Sequence, residues 1–141
     1  MSRLEIVHHE GYDPGINSLF VPGIKVASGN LVFISGVTGA GLPRPPAPSR
    51  RLRRDPARRR ITSAPRVRAL VELTAAGCTP ADVVSLTRFL TNVAEDQETI
   101  NTIQAAFFAG HLPTSTTVEV KRLATDPRLR LEIQAIAVAP A

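Results

Sequence analysis

Between Gly110 and Ala137 the chain alternates polar and aliphatic residues in two runs separated by Asp126-Pro127, and this pattern restricts the fold most. In the first run Thr117, Glu119 and Lys121 oppose Thr116, Val118 and Val120. In the second, Glu132 and Gln134 oppose Leu131 and Ile133. A repeat of two marks half-buried strands, because successive side chains leave a strand on opposite faces. The proline-containing connection predicts that the two strands lie side by side. They would bury one aliphatic face and display a polar stripe of Ser115, Thr117, Glu119, Glu132 and Gln134. Such a stripe is either a site or the wet side of an antiparallel sheet.

Upstream, Arg3 to His8 alternate weakly and predict a first strand. Asp13-Pro14-Gly15 is turn chemistry. Gly23–Ala27 and Leu31–Ser35 flank Ser28-Gly29-Asn30, which predicts a hairpin. A helix is expected from about 64 to 76, with Val67, Leu70, Val71 and Thr74 on one face and Gly77 as its stop. Thr79-Pro80-Ala81-Asp82 reads as a capped turn in which the threonine hydroxyl accepts from an orphan amide. Residues 83–91 have high strand propensity. A second helix spans roughly Glu95 to Gly110, with acids in its first turn and Ile100, Ile103, Phe107 and Phe108 as its apolar stripe. His111 follows it, where a cation suits the helix dipole. Helices alternating with strands in this order predict an α+β chain with both helices on one face of a mixed sheet. The other face then lacks cover, which predicts self-association in a closed ring.

The segment from 42 to 63 breaks this regularity. Arg44 to Arg68 holds ten arginines and a single acid, Asp55; the rest of the chain has seven basic and eleven acidic residues. The net charge of +5 is therefore confined to one insert in a mildly acidic domain. Its prolines oppose both helix and central strand. It is either a surface loop, an electrostatic arm for phosphate-rich partners, or a frame-shifted stretch. Without interleaved aromatic residues to stack bases, nucleic acid is not the expected partner.

Cys78 is the only cysteine, which excludes a disulfide framework and a thiolate zinc site. His8 and His9 point to opposite faces of a strand and do not share a metal. No apolar run is long enough to span a bilayer, and no signal-peptide core follows Met1, so a single cytoplasmic domain over residues 1–141 without membrane association is expected.

Several segments together resemble the RidA/YjgF family. They are Gly29-Asn-Leu-Val-Phe-Ile-Ser-Gly36, Ala75-Ala-Gly77 through Asp82-Val-Val, and Thr87-Arg-Phe-Leu-Thr-Asn92. Further on come Ile100-Asn101, Phe107-Phe108, Pro113, Thr117-Val-Glu-Val-Lys-Arg-Leu123 and Leu131-Glu-Ile-Gln-Ala-Ile-Ala137. The resemblance implies a chorismate-mutase-like α+β fold and a homotrimer with clefts between subunits. It also implies hydrolysis of small reactive enamines and imines to 2-oxo acids and ammonia, with no metal or cofactor. Glu132 matches the family's cleft glutamate, which orients or activates water. Ser35 matches its pocket serine, Thr117 a pocket-lining position, and Phe20 a position where many members carry tyrosine.

One departure stands out. The family's carboxylate-anchoring arginine falls at Ser115, which keeps a hydrogen bond but not the charge. Lys121 lies about 20 Å farther along an extended strand and does not replace it. Arg88 alternates with Leu86 and Leu90, which places it on an inward face. The resemblance thus implies a RidA-like hydrolase for a small molecule other than a standard 2-imino acid. The alternatives are a non-catalytic binder of a small metabolite or protein partner and, third, RNA binding or cleavage through the arginine-rich segment.

Overall fold

The computed structural model describes residues 2–7, 20–37, 71–124 and 128–141. The arginine-rich segment, His8 and His9, the turn around Pro14, the first half of the 64–76 helix and Asp126-Pro127 lie outside these. Six strands are described: β1 (Leu4–Val7), β2 (Gly23–Val26), β3 (Asn30–Val37), β4 (Val83–Leu90), β5 (Thr114–Glu119) and β6 (Leu131–Ala139). Helix α1 contributes residues 71–75, and α2 runs Val93–Phe108. β3, β6, β4 and β5 form one sheet in that order, antiparallel except for the parallel β4–β5 pair; β1 and β2 form a separate antiparallel ladder. This is a mixed α+β architecture.

Two expected pairings are corrected. β2 pairs with β1, and β3 pairs with β6, so Ser28-Gly29-Asn30 does not close a hairpin. Gly29 has φ +112°, and a Cβ there would stand 2.6 Å from both the Ala139 carbonyl oxygen and Val138 Cγ1. The bend is packed against the end of β6, and the chain passes from one ladder to the other. Likewise β5 and β6 are not neighbours, because β4 lies between them. Helix α2 carries the chain back to lay β5 parallel to β4, and β6 then enters antiparallel on the other edge of β4.

The expected polar stripe is consequently divided between two faces. Ser115, Thr117 and Glu119 stand opposite Leu86, Arg88 and Leu90, whereas Glu132 and Gln134 stand opposite Phe89 and Thr87. Leu86 and Leu90 are buried in the core beside residues of α2, so the first set faces the helices. Glu132 and Gln134 are on the opposite, open face, with Phe33 (73% exposed) and Leu31 (55%).

Both helices pack on the same face of the sheet. Leu73 of α1 and Phe108 of α2 join Ile34, Leu86, Ala135 and Ala137 in the main core cluster, while Leu90, Ile100 and Leu131 form a second. Burying a leucine such as Leu73 contributes about 2 kcal/mol. The inward residue of α1 is Leu73 rather than the expected Val71 or Thr74, both exposed. The helix ends at Gly77 as expected, with the Gly77 amide donating to Thr74 and the Cys78 amide to Leu73.

The Thr79–Asp82 turn forms as a 3-10 turn with Thr79 at its N-cap in a capping box with Asp82, as expected. Asp82 Oδ2 accepts from the Thr79 amide at 2.7 Å and from its hydroxyl at 3.0 Å. Asn92 caps α2 by accepting from the Glu95 amide at 3.1 Å. His111 Nε2 lies 2.6 Å from the Val83 carbonyl oxygen, tying the helix exit to β4. Among the described residues no helix is long and apolar enough to cross a membrane.

Candidate functional site

The five residues singled out from sequence fall into two groups. Glu132 lies on the open face against Gly36, the chain neighbour of Ser35. The register of β3 against β6 slips between Ile34 and Val37, leaving Ser35 and Gly36 in a bulge. Bulges redirect the strand locally and recur beside functional sites. Here the bulge turns Gly36 toward Glu132. A Cβ on Gly36 would overlap the Glu132 carboxylate, standing 2.7 Å from its Cδ. Only a glycine lets that carboxylate lie against the strand. Glu132 is half-buried and Ser35 exposed. Beside them, Val32 to Gly36 and Glu72, Ala75 and Ala76 of the α1 side border a cleft of about 480 Å³.

Phe20, Ser115 and Thr117 form the second group, at the β5 edge. The Val21 amide donates to the Pro113 carbonyl at 3.1 Å, which sets Phe20 beside the start of β5. Ser115 and Thr117 are half-buried on the helix-facing side. Thr117 Oγ1 accepts from Arg88 Nε at 2.8 Å. Since β5 and β6 are separated by β4 and these residues project from opposite faces, one chain does not gather Glu132, Ser115 and Thr117 around a common point.

Arg88 does face inward as its leucine neighbours indicated, and it is 5% exposed. What sequence reasoning missed is the polar cluster that receives it. Nη1 donates to Asn101 Oδ1 at 2.8 Å and to Gln104 Oε1 at 3.1 Å. The available signal was a lone arginine among strand leucines combined with two amide side chains three apart on a helix. Burial lowers the Arg88 pKa from its ordinary value. Gln104 also borders an apolar cavity of about 40 Å³ between α2 and the sheet, lined by Leu86, Ile100, Phe108 and Ile133 among others.

Among the described residues the other buried charges are paired. Arg3 donates to Asp82 Oδ1 and to the Val138 carbonyl. Burial pushes the Asp82 carboxyl up, but hydrogen bonds from Thr79 and Arg3 outweigh it and hold the group below its ordinary value. Arg130 pairs with Glu95 and Asp96, each at 2.8 Å. Asp96 is nonetheless raised, chiefly by burial. Burial, reinforced by Asp82, also raises the Cys78 thiol, which makes it a packing residue rather than a nucleophile. Among the described residues no group of three or more histidine, cysteine or acidic side chains is placed to hold a metal.

Residues 16–139 match the family model described as Endoribonuclease L-PSP. None of the curated proteins matches at a significant level. Among solved structures, YyfB of the Rid family from Yersinia pestis, a protein of unknown function, superposes with a TM-score of 0.70 at 22% identity, covering 97% of this chain and 99% of that one. Rv2704 of the YjgF/YER057c/UK114 family from Mycobacterium tuberculosis gives 0.60 at 25% identity, covering 96% and 99%. NMB1025 of the YjgF family from Neisseria meningitidis gives 0.59 at 21% identity, covering 98% and 96%.

Proposed function

The chain belongs to the Endoribonuclease L-PSP family, the RidA/YjgF proteins, and on that premise we propose that it hydrolyses a small imine or enamine in a cleft completed between copies of itself. The observation carrying this reading is the Glu132 carboxylate held against Gly36 in the β3 bulge. Water attacks the imine carbon while Glu132 takes one of its protons and passes it to the nitrogen, giving a carbinolamine. The remaining hydroxyl proton then moves to the nitrogen through the same carboxylate as the C–N bond breaks. The carbonyl product and ammonia leave. A positioned carboxylate contributes on the order of 10²–10⁴ in rate in this role.

The division of the candidate residues supports an intersubunit site. Ser35, Gly36 and Glu132 lie on the open face, and Phe20, Ser115 and Thr117 lie at the β5 edge. A homotrimer in which the edge of one chain meets the open face of the next joins the two sets. It also covers Leu31 and Phe33. With Ser115 in place of an arginine, a free 2-imino acid is a poor substrate. Freshly generated 2-iminobutyrate tests the reading. Accelerated ketoacid release that disappears in Glu132→Gln, and rises in Ser115→Arg, supports it; no acceleration in either the parent or Ser115→Arg refutes it.

The uncharged Ser115 also favours a second reading, a cleft that binds a small metabolite without turnover. Equilibrium binding of unreactive imine analogues together with no hydrolysis identifies it. RNA cleavage, which the family's description names, would here rest on the arginine-rich segment outside the described residues. Loss of RNA retention on deleting 44–60 is its test.

A further inference from the structure

Among the described residues, arginines with buried or half-buried side chains have carboxylate partners, with one exception. Arg3 has Asp82, and Arg130 has Asp96 and Glu95. Arg88 is the most enclosed of the three, yet its described partners are the neutral oxygens of Thr117, Asn101 and Gln104. Glu119, two residues beyond Thr117 on β5, is taken up by the Val93 amide at the start of α2, at 2.8 Å. A buried cation without a counter-charge is costly by several kcal/mol.

The hydrogen bonds also fix which atoms remain available. A guanidinium only donates, so Thr117 Oγ1 and Asn101 Oδ1 are occupied as acceptors. The Thr117 hydroxyl proton, the Asn101 Nδ2 hydrogens and Nη2 of Arg88 are left as donors that these bonds do not use. Thr117 on β5 and Asn101 on α2 are half-buried, so the cluster is partly open to solvent at these two residues. A constellation with one positive charge, several donors and its acceptors already engaged is complementary to an anion.

We infer that Arg88, Thr117 and Asn101 form a binding site for a small carboxylate within a single chain, on the helix face of the sheet. A carboxylate suits it because two planar oxygens can accept from Nη2 and from a neighbouring donor at once. The site goes beyond the hydrolase reading, although it shares Thr117 with the β5-edge half of that cleft, and it lies on the opposite sheet face from Glu132 of the same chain.

Acetate is the probe, with acetamide as its uncharged isostere and sodium chloride at matched ionic strength as the salt control. On the full chain, acetate should raise Tm saturably, while acetamide and chloride should not. Arg88→Met should weaken acetate binding by about tenfold or more, which is about 1.4 kcal/mol; Asn101→Leu should weaken it by a smaller factor. Should Arg88→Met fail to fold, the comparison of acetate with acetamide on the parent protein and on Asn101→Leu still decides. An acetate effect no larger than that of chloride overturns the site, and so does acetate binding unchanged in a folded Arg88→Met. Acetate binding retained in Glu132→Gln supports a site separate from the hydrolytic carboxylate. Its loss there, with Arg88→Met binding normally, overturns the assignment and leaves the Glu132 cleft as the anion's location.

Discussion

Glu132 of β6 fills the space that any side chain at Gly36 of β3 would need. The β3 bulge makes this contact, and it connects a backbone irregularity to the carboxylate proposed to act on water. Gly36→Ala should therefore displace the carboxylate while leaving the fold intact, because the contacting atoms end a flexible side chain. We expect a stability loss of about 1–3 kcal/mol, as for a modest overpacking. Imine hydrolysis should fall nearly as far as in Glu132→Gln. Chemical denaturation and turnover measured on both variants check this; a stable Gly36→Ala with full turnover would falsify the proposed role of Glu132.

Phe33 is 73% exposed on the open sheet face, where a lone subunit gains nothing from it. If copies cover that face, Phe33→Glu should convert a trimer to monomers at micromolar concentration by placing a charge in the interface. Sedimentation velocity reads the outcome. A parent protein that sediments as a monomer removes the intersubunit cleft.

Arg88 satisfies oxygens on both β5 and α2, so truncating it strands acceptors. Arg88→Met should cost about 1–3 kcal/mol, and Gln104→Leu should cost a similar amount alone. The double variant should be less destabilised than the sum, with a coupling of about 1 kcal/mol. Strict additivity in urea denaturation would show that the Arg88–Gln104 contact carries no stability.

Asp82 and Asp96 should shape acid stability in opposite directions. Burial raises Asp82, but the bonds from Thr79 and Arg3 prevail and leave its folded pKa below the ordinary 3.8. Its contribution is present above that value and is lost as pH falls through the folded pKa. Asp82→Asn should thus flatten the decline of Tm on acidification. Asp96 is raised above 3.8, mainly by burial against the opposing pull of Arg130. It favours the native state at low pH and loses that contribution as pH rises through its folded pKa. Asp96→Asn should steepen the acid decline. Thermal melts from pH 6 to pH 2.5 compare the slopes, and equal slopes in all three proteins would contradict both assignments.

Local signals identified much of the secondary structure. The strand propensity of 83–91 became β4, and Asn92 followed by acids started α2, because capping and dipole effects act within a turn. The same locality explains the stop at Gly77 and the turn at Thr79–Asp82. Family membership was likewise legible, since it rests on residue identities in order along 16–139.

Strand partners and faces were not legible. Alternation tells which residues of a strand share a face, but not which face meets the helices or which strand lies alongside. Ser115 and Glu132 each sit in an alternating run, yet they project from opposite sides of the sheet. The β3–β6 pairing joins residues about a hundred positions apart, and the bulge at Ser35–Gly36 and the Arg88 cluster both depend on such contacts. The amino-acid order by itself determined the elements, their ends and the family, because those depend on neighbours within a turn or on identity alone. Only the tertiary structure decided which side chains meet, because that choice is made by packing the whole sheet against α1 and α2 at once.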